Sequence, residues 1–144
     1  MKIERSIPSD PKALVRVTAA VIVHSGKILI TQRHQTDRLA GLWEFPGGKI
    51  EDGETPEQCL RRELREELEM DVVIGKALGT SVYHYGHISI ELMAYRAYWD
   101  GRPFRLVAHQ ACRWSTPGRL LDFAFTPADL PFVRRLVSGE ISLS

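Results

Sequence analysis

Gly47-Gly48-Lys49-Ile50-Glu51-Asp52-Gly53-Glu54 and the segment that follows, as far as Met70, decide how this chain is read. Thr55 suits a helix cap, Pro56 suits a first turn, and Gln58 completes a capping box, so a helix is predicted from Pro56 to about Met70. At roughly 100° per residue, Leu60, Leu64 and Leu68 share an arc about 80° wide, an apolar face for burial. Glu63, Glu66 and Glu67 fall within about 100° of each other on the adjoining arc. Like charges at this spacing cost a helix a few tenths of a kcal/mol per pair, roughly, so the pattern asks for a compensating cation. A hard divalent ion such as Mg²⁺ or Mn²⁺ meets that need, taking oxygen ligands and leaving positions for water and phosphate. The plain alternative is a solvated acidic face, but these carboxylates flank the apolar arc instead of opposing it. A glycine-rich turn also precedes them, where backbone can approach an ion or a phosphate closely.

Gly48, Glu54 after five residues, Arg62-Glu63-Leu64 after seven more, then Glu66-Glu67 and Met70 resemble the Nudix box at eight of its nine defined positions. The ninth, usually glycine, is Glu69. Either Glu69 takes a left-handed conformation at about 1 kcal/mol, or the helix ends differently. The resemblance implies a single α/β domain, an α/β/α sandwich with a mixed sheet. It implies metal ligation by Glu63, Glu66, Glu67 and the Gly47 carbonyl, with Glu63 as base. Arg62 then orients a glutamate, Lys49 stabilises developing charge, and the cofactor is Mg²⁺, with Mn²⁺ as an alternative.

The 144 residues, 44% hydrophobic and 26% charged, suit one soluble domain with an ordinary core. A formal charge of +1 gives no global drive toward nucleic acid or membrane, so any anion preference is local. Cys59 and Cys112 are the only cysteines, which argues against a disulfide framework and fits a reducing compartment. Cys59 is expected to be a passive small side chain. The start has no apolar run for a signal peptide and no stretch reaches membrane length, so a cytoplasmic location is expected.

Residues 1 to 13, with Pro8 and Pro11, read as a flexible leader, and 14 to 144 as the domain. Val15 to Val23 and Ile28 to Arg33 form an expected hairpin about His24-Ser25-Gly26-Lys27, followed by a polar loop to Leu42. Trp43 is open to either a core or a base-facing role. Past the helix, Val72 to Val82 and Ile88 to Tyr98 read as strands joined by an aromatic connector, Tyr83 to His87. Phe104 to Val107 and Ala111 to Ser115 read as short strands, and Asp129 to Val137 as a last helix packed on the sheet.

Beyond the box, Leu42 to Glu57 and the stretch from Asp100-Gly101 through Arg113-Trp114 to Thr126-Pro127-Ala128-Asp129 resemble the MutT branch, which cleans oxidised nucleoside triphosphates. That similarity implies nucleotide contacts from Arg33, Arg38, Glu44 and Phe45, with Asp129 reading the base edge. Many such members carry asparagine at the position of Asp129. A carboxylate only accepts hydrogen bonds, which favours an exocyclic amino group or a ring N–H, so oxidised guanine stands first with modified cytosine or adenine beside it. Relatives often carry a glutamate just before His109-Gln110, where this chain has Ala108, and no acid occurs between Gly101 and Leu121. That strengthens Glu63 as the base and leaves His109 a distant candidate. The expected activity is a Mg²⁺-dependent nucleoside triphosphate pyrophosphohydrolase releasing a monophosphate and pyrophosphate. ADP-ribose or dinucleoside polyphosphate hydrolysis is the alternative within the family, and a non-catalytic nucleotide- or RNA-binding module the alternative outside it.

Overall fold

β1 (Leu14–His24) is apolar on both faces because both faces are covered. In the computed structural model, which describes residues 13–143, its odd-numbered residues Val15, Val17, Ala19 and Val21 join one core and Ala20 and Ile22 the other. The leader expected over residues 1 to 13 lies outside the described residues, apart from Ala13.

The strands that follow are β2 (Lys27–Gln32), β3 (Trp43–Glu44), β4 (Gly47–Lys49), β5 (Val72–Tyr85), β6 (Ile88–Trp99) and β7 (Ala111–Ser115). The sheet is mixed. β1 runs parallel to β6 from Leu14↔Ser89 to Ile22↔Ala97, and antiparallel to β2 and β4, while β6 is antiparallel to β5. β2 pairs antiparallel with β3 and β7. The helix α1 (Pro56–Leu68) covers one side, burying Leu60, Leu64 and Leu68 with Ala20, Ile22 and Leu29. The helix α2 (Leu130–Ser138) contributes Phe132, Val133 and Leu136 to the other core. The result is the expected α/β/α sandwich. Among the described residues no helix is long and apolar enough to cross a membrane.

Two local expectations change. Tyr83, His84 and Tyr85 are strand residues, so the connector shrinks to a turn at Gly86-His87. Pairing of Tyr83, His84 and Tyr85 with Ile90, Ser89 and Ile88 extends the hairpin further than their composition suggested. Phe104 to Val107 is not a strand. Its amides serve the open end of α1, Arg105 donating to the Leu68 carbonyl at 2.9 Å and Val107 to that of Glu67 at 2.9 Å. After β7 the chain makes a 3-10 turn over Pro117–Asp122.

Candidate active site

The entry to α1 is capped as its sequence indicates: Gln58 N–H donates to Thr55 Oγ1 at 3.1 Å, and Thr55 N–H to Gln58 Oε1 at 2.9 Å. The exit is left-handed, with Glu69 at φ 51° and ψ 41°. Glu69 N–H reaches the Arg65 carbonyl at 3.0 Å and Met70 N–H the Leu64 carbonyl at 3.3 Å, a Schellman-type closure. Glu69 thus accepts the conformation normally left to glycine.

Between these ends, α1 lays its acidic arc along a cleft of about 720 Å³, whose lining includes Lys49, Arg62, Glu63, Glu66 and Glu67. The glycine turn is required by close approach on two sides. At Gly47 (φ 156°) a β-carbon would stand 2.1 Å from the Thr18 carbonyl oxygen of β1, and at Gly48 it would stand 2.3 Å from Glu63 Cδ. Gly48 is therefore the floor on which the Glu63 carboxylate rests.

Arg62 organises the acids. Its Nε and Nη2 grip both oxygens of Glu54 at 2.6 and 3.0 Å, Nη1 reaches Glu63 at 2.9 Å and Glu66 at 3.1 Å, and Nη2 donates to the Lys49 carbonyl at 3.1 Å. The planar fork suits this shared task. Its pairing with Glu54 raises the already high Arg62 pKa and holds the Glu54 carboxyl below its ordinary range. Cys59, buried beneath, donates to the Gly48 and Lys49 carbonyls at 3.5 and 3.3 Å, and burial pushes its thiol up to about 11. It is a neutral packing group at physiological pH, in keeping with the passive role expected.

By donor chemistry the site fits a hard divalent cation: Glu63, Glu66 and Glu67 offer carboxylate oxygens to one cleft, and Gly48 leaves the space that Glu63 needs. Among the described residues no three such side chains already converge as a coordination shell. Arg62 stands between Glu54, Glu63 and Glu66 as their positive partner.

The residues expected at the nucleotide divide into two buried groups. Arg33 and Glu44, 0% and 1% exposed, pair at 3.2 Å, and Arg33 Nε donates to the Arg38 carbonyl at 2.8 Å. Stripping one charge from such a pair strands the other, at about 3–5 kcal/mol. Only the Arg38 side chain of this set is exposed. Phe45 is fully buried against Phe125, and its N–H donates to Asp129 Oδ1 at 3.4 Å. Asp129, at the N-cap of α2, makes no cap hydrogen bond. Its Oδ2 instead accepts from Thr126 Oγ1. Trp43 is partly buried, edge-on to Phe123 and packed against the core.

Two participants were missed or underweighted in the sequence. Glu54, known only as a position in the box, is the principal partner of Arg62; it lies outside the helix, so helical spacing gave no sign of it. His109, buried, lies 3.0 Å from Glu44 and 3.6 Å from Glu67. The lack of acids around it was the available signal.

The NUDIX domain pattern matches residues 18–135. The chain is 35% identical over 125 residues to the CTP pyrophosphohydrolase of Escherichia coli strain K12, covering 87% of this chain and 93% of that protein. It is 33% identical over 129 residues to the 8-oxo-dGTP diphosphatase of Haemophilus influenzae, covering 88% and 94% respectively. The solution structure of the E. coli ORF135 protein matches with a TM-score of 0.79 at 32% identity, over 94% of this chain and 97% of that one. A family match across most of the domain, with relatives aligned over nearly their full lengths, means that this chain belongs to the Nudix family and is a MutT-like hydrolase of pyrophosphate bonds.

Proposed function

We propose that the protein is a nucleoside triphosphate pyrophosphohydrolase, dependent on Mg²⁺ or Mn²⁺, that converts oxidised nucleotides such as 8-oxo-dGTP to the monophosphate and pyrophosphate. Its role would be to keep damaged bases out of the nucleotide pool of the cytoplasm. The observation that carries this reading is the single cleft that brings Lys49 together with Glu63, Glu66 and Glu67, on a scale suited to a nucleotide's phosphates.

Glu63, Glu66, Glu67 and the Gly47 carbonyl would hold the cation, which when bound neutralises phosphate oxygens and makes a water more acidic. Lys49 adds positive charge at the same wall of the cleft. Glu63 takes the proton of the attacking water, and Arg62 keeps its carboxylate aimed. As water attacks phosphorus, one phosphoanhydride bond breaks and pyrophosphate leaves. By the family resemblance Phe45 and Asp129 would form the base side and Arg38 would contact the nucleotide through an exposed cation, while the Arg33–Glu44 pair supports the frame from within.

A cytosine nucleotide is the second reading, favoured by one feature: Asp129 offers acceptor oxygens only, which matches an exocyclic amino group. The likeness to a CTP pyrophosphohydrolase points the same way. Pyrophosphate and phosphate release, with and without Mg²⁺, across ordinary and oxidised triphosphates, ADP-ribose and a dinucleoside polyphosphate tests both. Preferential pyrophosphate release from an oxidised guanine nucleotide supports the first reading and from CTP or a modified cytosine nucleotide the second. Turnover confined to ADP-ribose or the dinucleoside overturns both.

A further inference from the structure

The loop between β6 and β7 borders the cleft with Val107 and Ala108, yet it contains no acid from Arg102 to Leu120. What it contributes is His109. The side chain is fully buried, with Nε2 3.0 Å from Glu44 Oε2 and 3.6 Å from Glu67 Oε1. Two acceptor oxygens on one side demand a hydrogen on Nε2, because a lone pair there would face theirs. The other nitrogen, Nδ1, is buried and has no hydrogen-bond partner among the described residues. The Nε2 pairing is therefore what orients the ring.

Both ends of this arrangement are anchored. Glu44 is tied through Oε1 to Arg33 Nη1 at 3.2 Å, and Arg33 through Nε to the Arg38 carbonyl at 2.8 Å. The loop itself is pinned on either side of His109, by Val107 N–H on the Glu67 carbonyl at 2.9 Å and Gln110 N–H on the Gln32 carbonyl at 3.1 Å. A buried N–H that pairs with Glu44 thus also faces, at 3.6 Å and beyond hydrogen-bond length, the inner oxygen of a carboxylate that lines the cleft.

We propose that His109 is a positioning residue for Glu67. Its Nε2–H, steadied by Glu44, draws the buried oxygen Oε1 inward and leaves the other Glu67 oxygen presented to the cleft. The inference rests on the reading of Glu67 as a cation ligand. The loop that lacks an acid at Ala108 thereby acts on the site through a ligand supplied by α1, and the Arg33–Glu44 pair serves as its anchor. Outer groups of this kind orient first ligands and tune their affinity.

Two near-isosteric variants separate positioning from packing. In His109→Gln the amide nitrogen takes the place of Nε2, whereas in His109→Asn it takes the place of Nδ1. Mn²⁺ binding by electron paramagnetic resonance, kcat and KM on the best triphosphate, and Tm are measured on the intact chain. His109→Asn is expected to weaken Mn²⁺ binding and lower kcat by roughly tenfold, with KM little changed, while His109→Gln stays within about threefold of wild type. Equal Mn²⁺ affinities and rates for both variants, or losses that only track Tm, would overturn the proposal, as would a wild-type chain that binds no Mn²⁺. If wild type binds Mn²⁺ but turns over no triphosphate, the proposed function fails, and selective weakening in His109→Asn still establishes the positioning role.

Discussion

The Glu63 carboxylate occupies the space that a side chain would need at Gly48, with both of its oxygens 2.5 and 2.6 Å from where a β-carbon would sit. Glu63 cannot retreat freely, since Arg62 holds it at 2.9 Å. Gly48→Ala is therefore expected to displace the proposed base and cut turnover by at least about tenfold, with a stability loss of about 1–3 kcal/mol from overpacking. Gly47→Ala meets β1 backbone instead, so its loss falls mainly on the fold. Rates compared with urea midpoints separate the two.

Arg62→Lys keeps the charge and removes the fork that grips Glu54. The Glu54 carboxyl is held below its ordinary 4.5 chiefly by the Arg62 hydrogen bonds. A lowered folded-state pKa contributes stability that is complete above 4.5 and disappears as pH falls through the lowered value. The stability gap between wild type and Arg62→Lys should thus be widest above 4.5, at about pH 7, and narrow progressively as pH falls below 4.5. Denaturation midpoints across that range test it, and a constant gap would show that the fork contributes nothing through Glu54.

Asp129→Asn is expected to fold, with a cost below about 1 kcal/mol, because an amide can satisfy both neighbours. Its oxygen accepts from Phe45 N–H and its NH₂ donates to Thr126 Oγ1, whose own hydrogen turns elsewhere. The added donor should shift base preference toward acceptor-bearing edges by roughly tenfold in kcat/KM, about 1.4 kcal/mol. An unchanged ranking of triphosphates would remove Asp129 from base recognition.

Glu69→Gly relieves a left-handed residue at the α1 exit and gives up an exposed ion pair with Arg105. The first effect is about 1 kcal/mol and the second is between about 0 and 1, so a net gain of about 0.5 kcal/mol is expected. Thermal unfolding measures it; kcat should stay unchanged, since Glu69 does not line the cleft.

The sequence by itself determined α1, from the Thr55–Gln58 box to the buried Leu60, Leu64 and Leu68, and it determined which arc carries the acids. These relations lie within a few residues, where helix geometry alone sets who meets whom. It also marked the Gly47-Gly48 turn, though not that Thr18 and Glu63 are what press on it. The exit at Glu69 was left open between two conformations in the sequence, and the structure shows the left-handed one, closed locally by the Arg65 and Leu64 carbonyls of the same helix. Phe104 to Val107 looked like a strand because its composition suits one, but the carbonyls that claimed Arg105 and Val107 lie at a helix end far back in the chain. The same holds for the charged residues. Arg33, Glu44 and His109 come from β2's end, β3 and a later loop, and their mutual burial follows from strand order, which places them side by side. A lone charge reads as surface or substrate-facing because burying it unpaired is costly, and only the fold supplies the partner that removes the cost.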